Sequence, residues 1–320
     1  MTQSPTKLSS LREGFFNVAV CDFCGHKDFL PVAVRGDGMQ VLECLHCGLA
    51  FLAQLPKPEF LSSLYGESYF RKDGETNVGY QSYGWTKVSE IQLIFGPIIK
   101  IIEKHYPLRG IRFLEVGCAT GELLFLAREA GASVLGVEGS EWAAQTARRR
   151  FDLEIINTTL EAAPLTQDSF DVTVALEVIE HTLSPSTFMA KLASVVRPGG
   201  LVVISTPNYR MAKIIGNAWA GFQTSFEHLY FLSDEFLTRL GHRFGLSMVE
   251  WYTRGSGHMP TQHTTTTAKF RRAIKKIPGI QRAYDLAKDL GLVRPPADLR
   301  WNRFGQGHTV LVVFQKNASE

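Results

Sequence analysis

The sequence predicts an α/β protein: a doubly wound, Rossmann-like sheet of seven strands, preceded by a small zinc-ribbon-like module. Two observations carry this prediction. From residue 111 onward, short apolar runs alternate with segments of helical length, which is typical of parallel strands crossed over by helices. Before that region, four of the five cysteines form two CxxC pairs, CDFC and CLHC.

Length and composition are those of an ordinary globular protein. The 320 residues, 45% hydrophobic and 20% charged, suffice for one full α/β domain plus a smaller module, or for two modest domains. The formal net charge of +3 is too small to favour a nucleic-acid partner. The best apolar stretch, residues 91–102, is short and contains Pro97 and Lys100, so no transmembrane segment is predicted. The first residues lack the apolar core of a signal peptide, so we expect a cytoplasmic protein.

The cysteine spacing predicts a metal site. Cys21 and Cys24 form one pair, Cys44 and Cys47 form the other, and nineteen residues separate the pairs. Two thiolates from each turn complete a closed tetrahedral site for one structural Zn²⁺. Two disulfides or a redox CxxC are the alternatives, and both fit a cytoplasmic chain poorly.

Three segments are expected along the chain. Residues 1–55 form the zinc-binding module, residues 56–86 form a linker or lid rich in Tyr and Gly, and residues 87–320 form the main domain. In the main domain, an amphipathic helix is expected over about 87–105, because its isoleucines recur on or near one face.

Within the module, strands are predicted at QVLEC (40–44) and LAFL (49–52). The main domain then alternates strands and helices. The predicted strands are IRFLEVG, SVLGVEGS, EIINTTL (154–160), FDVTVALEV (170–178), LVVISTP (201–207), LSMVEWYTRG and GHTVLVVFQK. The predicted helices are GELLFLAREAG, EWAAQTARRRF, SPSTFMAKLASVV (184–196) and DEFLTRLGHRFG (234–245).

The turn after the first main-domain strand, FLEVGCATGELL, predicts a ligand site, because ligands of open parallel sheets bind beyond the carboxyl ends of the strands. Gly117 and Gly121 allow a sharp turn and a close backbone approach. A dinucleotide site requires GxGxxG, which residues 117–122 do not provide, and Glu122 would repel a pyrophosphate. Glu138, which ends the second strand, can accept hydrogen bonds from both hydroxyls of a ribose. We therefore expect a nucleoside without dinucleotide phosphates.

Four motifs in order resemble those of class I S-adenosylmethionine-dependent methyltransferases: FLEVGCATGELL, VLGVEGS, LEAAPLTQDSFDVTVALEVIEH and VRPGGLVVISTPN. The resemblance covers about residues 87–255 and implies S-adenosylmethionine as cofactor. Glu115, Gly117 and Gly121 would line its methionine part, and Glu138 would hold the ribose. Leu160 with Glu161 would flank the adenine. Glu177 and Val178 would line the site beyond the fourth strand. Ala119 stands where the family usually has glycine, so a slightly tighter loop is expected. The implied cofactor-binding residues are Glu115, Gly117, Cys118, Ala119, Gly121, Glu138, Gly139, Leu160, Glu161, Glu177 and Val178.

Two histidines are candidate bases. Methyl transfer from a sulfonium mostly requires positioning, and a base is needed when the acceptor must lose a proton. His181, in EVIEH, follows the fourth strand beside the expected cofactor; it is a base, a substrate contact, or part of a cap on the next helix. His228, in FEHLYF, lies on the substrate side, and Glu227 could raise its basicity if the two side chains converge.

The CxxC pairs, the tyrosine-rich linker, the methyltransferase motifs and the EH segment together resemble deoxysugar C-methyltransferases. That resemblance implies His228 as the base, with Glu227 and Tyr230 as its neighbours, and a sugar, nucleotide sugar or related small metabolite as acceptor. Those enzymes carry a further C-terminal Rossmann-type domain that this sequence does not show, and C- and O-methylation both remain open. Tyr80 and Tyr83 could reach over the cofactor or pack against the domain.

An insert at about 256–306 contains six basic residues between 269 and 282 without an intervening acid. It is either a solvated surface helix or a basic flap near an anionic substrate or a membrane surface. The alternative function is a zinc ribbon that recognises nucleic acid or a protein partner, on a methyltransferase-like scaffold. Residues 15–55 carry two cationic side chains, Lys27 and Arg35, against four acids, which disfavours nucleic acid.

Overall fold

The structure is a computed structural model that describes residues 14–71, 87–223, 227–255 and 300–318. The predicted roles of Tyr80 and Tyr83, and most of the basic insert, lie outside these residues. Among the described residues, no helix has both the length and the hydrophobicity that crossing a bilayer requires.

The strands are β1 Phe15–Asn17, β2 Phe29–Val34, β3 Gln40–Cys44, β4 Ala50–Leu52, β5 Gln54–Pro56, β6 Arg112–Val116, β7 Ser133–Val137, β8 Ile155–Ile156, β9 Phe170–Leu176, β10 Val196–Pro207, β11 Tyr230–Phe231, β12 Leu246–Arg254, β13 Asn302–Arg303 and β14 Thr309–Lys316. The α-helices are α1 Pro58–Leu64, α2 Glu67–Arg71, α3 Val88–His105, α4 Glu122–Glu129, α5 Glu141–Phe151, α6 Pro185–Val195, α7 Tyr209–Ile215, α8 Ala220–Gln223 and α9 Asp234–Arg243. Short 3₁₀ turns span Ile179–His181 and Gly216–Ala218.

The large sheet has the strand order β13-β12-β14-β10-β9-β6-β7-β8. Strands β8, β7, β6, β9 and β10 are parallel, and β14 inserts antiparallel between β10 and β12. The seven predicted strands are therefore confirmed, with the two-residue β13 added at one edge. The strand order reverses at β6, so the turn that follows it lies where ligands of such sheets bind.

Each face of the large sheet is covered by its own layer. Helices α3, α4 and α5 share one buried cluster with Val203 of β10. Helices α6 and α9 share the other cluster with Val202, and that cluster continues into the N-terminal module through Phe51 and Leu52. Successive residues of a strand point to opposite faces, which is why the near-continuous apolar runs of the sequence serve two layers.

The N-terminal module has a four-stranded sheet whose last strand comes from far along the chain. Its order is β11-β4-β3-β2, and β11 pairs antiparallel with β4 through Tyr230↔Phe51 and Phe231↔Ala50. The amide of Leu52 also donates to the carbonyl of Leu229 at 2.9 Å. Residues 229–231 are thus joined by backbone hydrogen bonds to the cysteine-bearing sheet.

Departures from the sequence prediction include one shortened strand and two helices that were not predicted. The third strand, predicted over 154–160, spans only Ile155–Ile156 at the sheet edge. Helices α1 and α2 occupy part of the segment 56–86, where the sequence predicted no regular element. Both helices are of seven residues or fewer, too short for a helical period to be recognised.

Candidate functional site

The turn after β6 brings backbone close to its neighbours. Gly117 has φ 66°, and a Cβ built there would lie 2.4 Å from Cγ2 of Val178. Gly121 has φ 87° and precedes the first residue of α4. A Cβ on Gly121 would lie 2.5 Å from Cδ1 of Leu153, so both glycines meet a conformational and a steric requirement, as expected for a cofactor-binding turn.

Ala119 shows why glycine is usual at its position. Its φ of 46° lies in the left-handed region, which costs an L-residue about 1–2 kcal/mol. Its amide donates to Oε2 of Glu138 at 2.9 Å. The strained residue thus fixes the orientation of the carboxylate at the end of the next strand.

Glu138 is held firmly by backbone. Besides the bond from Ala119, its Oε1 accepts from the amide of Ser140 at 2.8 Å, and its carbonyl accepts from the side-chain amide of Asn157 at 2.8 Å. Burial raises the pKa of Glu138, while backbone amides oppose that shift. A carboxylate fixed in this way beyond the end of β7 fits the two hydroxyls of a ribose.

The remaining predicted cofactor residues surround this turn. Glu115 in β6 is buried with Oε2 lacking a hydrogen-bond partner, and burial raises its pKa well above the usual value. Cys118 is buried, and its Sγ would lie 2.7 Å from a Cβ built on Gly136. Glu177, at φ 53°, accepts a hydrogen bond from the Ser205 hydroxyl at 2.6 Å. Of the residues expected near the adenine and ribose, Leu160 is buried, whereas Gly139 and Glu161 are exposed.

Beyond β9, the structure brings both candidate histidines together. The imidazole rings of His181 and His228 are 4.8 Å apart and nearly perpendicular. Nε2 of His181 lies 3.9 Å from Oε1 of Glu180, and Nδ1 of His181 lies 3.1 Å from the hydroxyl of Tyr65. We call Glu180, His181 and His228 the imidazole–carboxylate cluster. It adjoins the cofactor turn, because Val178, which contacts Gly117, directly precedes Ile179–His181.

Backbone contacts explain why segments so distant in sequence meet. The amide of Leu229 donates to the carbonyl of Glu180 at 2.8 Å. The buried guanidinium of Arg35, ion-paired with Asp37, donates from Nη1 to the carbonyl of His228 at 2.7 Å. The N-terminal sheet therefore positions His228 against the turn that carries His181.

The interior location of the cluster favours uncharged side chains. Burial lowers the pKa of His181 to about 4 and that of His228 well below its usual value. Burial also raises the pKa of Glu180 well above its usual value, and the carboxyl of Glu177 adds to that shift. The imidazoles are thus neutral near pH 7, with nitrogen lone pairs available to a ligand.

The expected pairing of Glu227 with His228 is not formed. No hydrogen bond joins the two side chains, Oε2 of Glu227 lacks a partner, and Glu180 is the carboxyl beside the imidazoles. Tyr230 donates its hydroxyl to the carbonyl of Leu183 at 3.1 Å and packs in β11 against the cysteine-bearing sheet. The physical reason is that sequence neighbours point apart, so adjacency does not bring the carboxylate to the ring.

Sequence reasoning missed Tyr65 and undervalued Glu180. Tyr65 lies in the tyrosine-rich LYGESYF stretch, and that composition was the signal by which it could have been found. From the segment 56–86, only Tyr80 and Tyr83 were predicted as candidates. Neither Glu180 nor His181 caps α6: its N-cap is Ser184, whose Oγ accepts from the amide of Thr187.

The four predicted cysteine ligands form a compact group near the N-terminus. Sγ of Cys21 lies 3.5 Å from Sγ of Cys47, and Sγ of Cys24 lies 3.5 Å from Sγ of Cys44, with all four within 4.8 Å of one another. All four are free thiols in the structure. Ligands about 2.3 Å from one Zn²⁺ in a tetrahedron lie about 3.8 Å apart, so the group fits that ion.

Both cysteine turns are built alike. The amide of Gly25 donates to the carbonyl of Cys21 at 2.9 Å, and the amide of Gly48 donates to the carbonyl of Cys44 at 2.8 Å, with φ near 70° at both glycines. Burial raises the pKa of Cys21 to about 11.

The cysteine group is also tied to the main domain. The carboxylate of Asp22 accepts hydrogen bonds from the Ser184 hydroxyl at 2.5 Å and from the Ser186 amide at 2.9 Å. Nη2 of Arg239 donates to the carbonyl of Cys47 at 2.7 Å. These contacts fasten the module to α6 and α9.

Comparison with known proteins matches this geometry. Residues 92–250 match the protein-family model described as "Methyltransferase domain". A chain from the complex between the Haloferax volcanii Trm112 methyltransferase activator and a methyltransferase has a TM-score of 0.50 at 15% identity, covering 73% of this chain and 94% of that one. At that identity, the likeness shows the fold alone.

Two curated relatives are named "Ubiquinone biosynthesis O-methyltransferase". That of Brucella ovis is 35% identical over 120 residues, or 36% of this chain and 48% of the relative. That of Sinorhizobium fredii is 37% identical over 107 residues, or 32% of this chain and 43% of the relative. The match thus spans about half the length of these relatives. Neither is named for a sugar acceptor.

Proposed function

Because residues 92–250 form a class I S-adenosylmethionine-dependent methyltransferase domain, we propose that this chain transfers the methyl group of S-adenosylmethionine to a small-molecule acceptor. The observation that carries the proposal is the contact between the cofactor turn and the turn bearing His181, through Gly117 and Val178. This contact supports the proposal because it brings the turn over 117–121 and the two imidazoles together at the carboxyl edge of one sheet.

The cofactor, when bound, supplies a methyl group already activated by its sulfonium. In this assignment Glu138 holds the ribose, the turn over 117–121 surrounds the methionine part, and Leu160 with Glu161 flanks the adenine. The rigid backbone bonds to Glu138 support the first role, because a carboxylate that needs no reorganisation binds a diol at lower cost.

For the acceptor, we propose a sugar, nucleotide sugar or related metabolite, methylated on oxygen or on a carbon beside a keto group. The support is chemical: the site offers imidazole nitrogens, a tyrosine hydroxyl and carboxyls whose pKa is raised by burial, which suit hydroxyl-bearing molecules. A proton must leave such an acceptor, and we assign its removal to this region, with His228 as first candidate and His181 as its competitor. Direct attack then depends on alignment of the acceptor with the methyl group.

We further propose one structural Zn²⁺ at Cys21, Cys24, Cys44 and Cys47. Because β11 pairs with β4 of that module, the ion would stabilise the sheet that carries His228. The same pairing disfavours the alternative of a zinc ribbon acting by itself on nucleic acid or protein.

Calorimetric titration with S-adenosylhomocysteine tests the central proposal. We expect binding of one equivalent, and Glu138→Ala should weaken it about 10- to 100-fold, since hydrogen bonds to a charged group contribute about 1.5–3 kcal/mol. Glu129→Ala, at an exposed position on α4, is the matched control. A folded, zinc-loaded protein that binds no S-adenosylhomocysteine would refute the proposal, and an unchanged affinity of Glu138→Ala would refute the ribose role.

A further inference from the structure

The imidazole–carboxylate cluster has the composition of a metal site distinct from the cysteine group. We propose that Glu180, His181 and His228 together bind one divalent transition-metal ion, to which two neighbouring oxygens of the acceptor coordinate. The role of the ion rests on the proposed function, whereas its binding does not.

Distances within the cluster are close to those of a bound state. One ligand atom from each residue lies within 4.8 Å of the others, and the Glu180 Oε1 to His181 Nε2 distance is 3.9 Å. Two atoms that are each about 2.1 Å from one ion lie at most about 4.2 Å apart. The widest pair therefore has to close by roughly half an ångström, which small side-chain rotations can supply.

Glu180 provides an independent indication of a missing cation. It is 1% exposed, and neither of its carboxylate oxygens has a hydrogen-bond partner of normal geometry. Buried polar groups without partners are rare and costly in folded proteins. A cation between this carboxylate and the two imidazoles would satisfy all three.

The contacts around the cluster are those that orient metal ligands. Nδ1 of His181 lies 3.1 Å from the hydroxyl of Tyr65, so Nε2 is left to face Glu180. Metal-ligating histidines commonly use their second nitrogen in this way. The backbone is fixed as well, because Arg35 holds the carbonyl of His228.

The ligand types limit the choice of ion. Two imidazoles and one carboxylate suit Mn²⁺, Fe²⁺ or Zn²⁺, whereas Mg²⁺ and Ca²⁺ favour all-oxygen sites. Three protein ligands leave coordination positions open, and two adjacent oxygens, as in a diol or a hydroxy-ketone, would fill two of them. With the imidazoles engaged as ligands, Glu227, whose Oε2 has no hydrogen-bond partner, becomes the candidate to accept the acceptor's proton.

Mn²⁺ is the probe for the test, because it binds thiolates weakly and leaves the zinc-loaded cysteines intact. Titration of the full chain, with free Mn²⁺ followed by its paramagnetic resonance signal, should show one site. Pulsed spectra of bound Mn²⁺ should show nitrogen couplings from imidazole, a result that needs no variant. Glu180→Gln, which preserves shape, should weaken binding at least tenfold, and Glu129→Gln should leave it unchanged.

The outcomes separate the two proposals. Absence of Mn²⁺ binding, absence of nitrogen couplings, or equal affinities for wild type and Glu180→Gln would each overturn the metal site. Calorimetry with S-adenosylhomocysteine on the same samples tests the proposed function by itself. Mn²⁺ binding without S-adenosylhomocysteine binding would leave the metal site standing and refute the methyltransferase assignment.

Discussion

Substitution of Gly117 by alanine probes the contact that joins the two halves of the proposed site. The substitution has two costs. At φ 66°, an L-residue loses about 1–2 kcal/mol. In addition, the new Cβ would lie 2.4 Å from Cγ2 of Val178, an overlap that typically costs about 1–3 kcal/mol in a packed site. The expected loss of folding free energy is therefore about 2–5 kcal/mol, or a displaced turn with weakened cofactor binding.

Two further variants separate the conformational cost from the steric cost. Gly110→Ala has the conformational cost alone, because Gly110 has φ 79° and a Cβ added there would meet nothing within 4 Å. The double variant Gly117→Ala/Val178→Ala removes the overlap and should recover part of the loss. Urea denaturation measures stability, and calorimetry with S-adenosylhomocysteine measures affinity. Equal losses for Gly117→Ala and Gly110→Ala, without rescue in the double variant, would refute the close approach.

Three more outcomes are expected. Cys44→Ser should release zinc, with metal analysis falling from about one ion per chain to near zero, and should destabilise the module strongly; retention of full zinc would contradict the proposed ligand set. Ala119→Gly should relieve a left-handed φ and raise the free energy of unfolding by up to about 1 kcal/mol, and a loss of stability would count against that strain. Burial by itself would raise the pKa of Glu250, but hydrogen bonds from Lys104, Tyr252 and His105 lower it to about 2. The stabilisation of the fold by Glu250 is thus present above about pH 5 and disappears as pH falls towards 2. Because Lys104 is half exposed, we expect this contribution to be about 1–2 kcal/mol and to be absent in Glu250→Gln. Identical profiles of stability against pH for wild type and Glu250→Gln would refute the assignment.

Much of the fold could be predicted from sequence because its signals are local. Apolar runs marked all seven strands, and helical periodicity marked α3 despite Pro97 within it. Short elements were the exception: α1, α2 and the two-residue β11 extend over too few residues to show a period. Their positions depend on the surfaces that they meet.

For the candidate site as well, features within short motifs could be predicted from sequence, whereas contacts between distant segments could not. The turn over 117–121, Glu138 and the four cysteines were recognisable because their chemistry depends on spacing within short motifs. The sequence suggested Glu227 as the acid beside His228, whereas the structure places Glu180 beside the imidazoles. Adjacency in a chain gives no information on side-chain direction.

The sequence by itself determined a parallel sheet, a glycine-containing turn after its first strand and a group of four cysteines, since each follows from local period or fixed spacing. Only the tertiary structure decided that Tyr65, 116 residues away in sequence, meets His181, and that His228 joins them. The physical reason is that one strand from the second half of the chain, β11, pairs with the N-terminal sheet. Pairing of β11 with β4, together with the bond from Arg35, places residues 227–231 against the turn that carries His181.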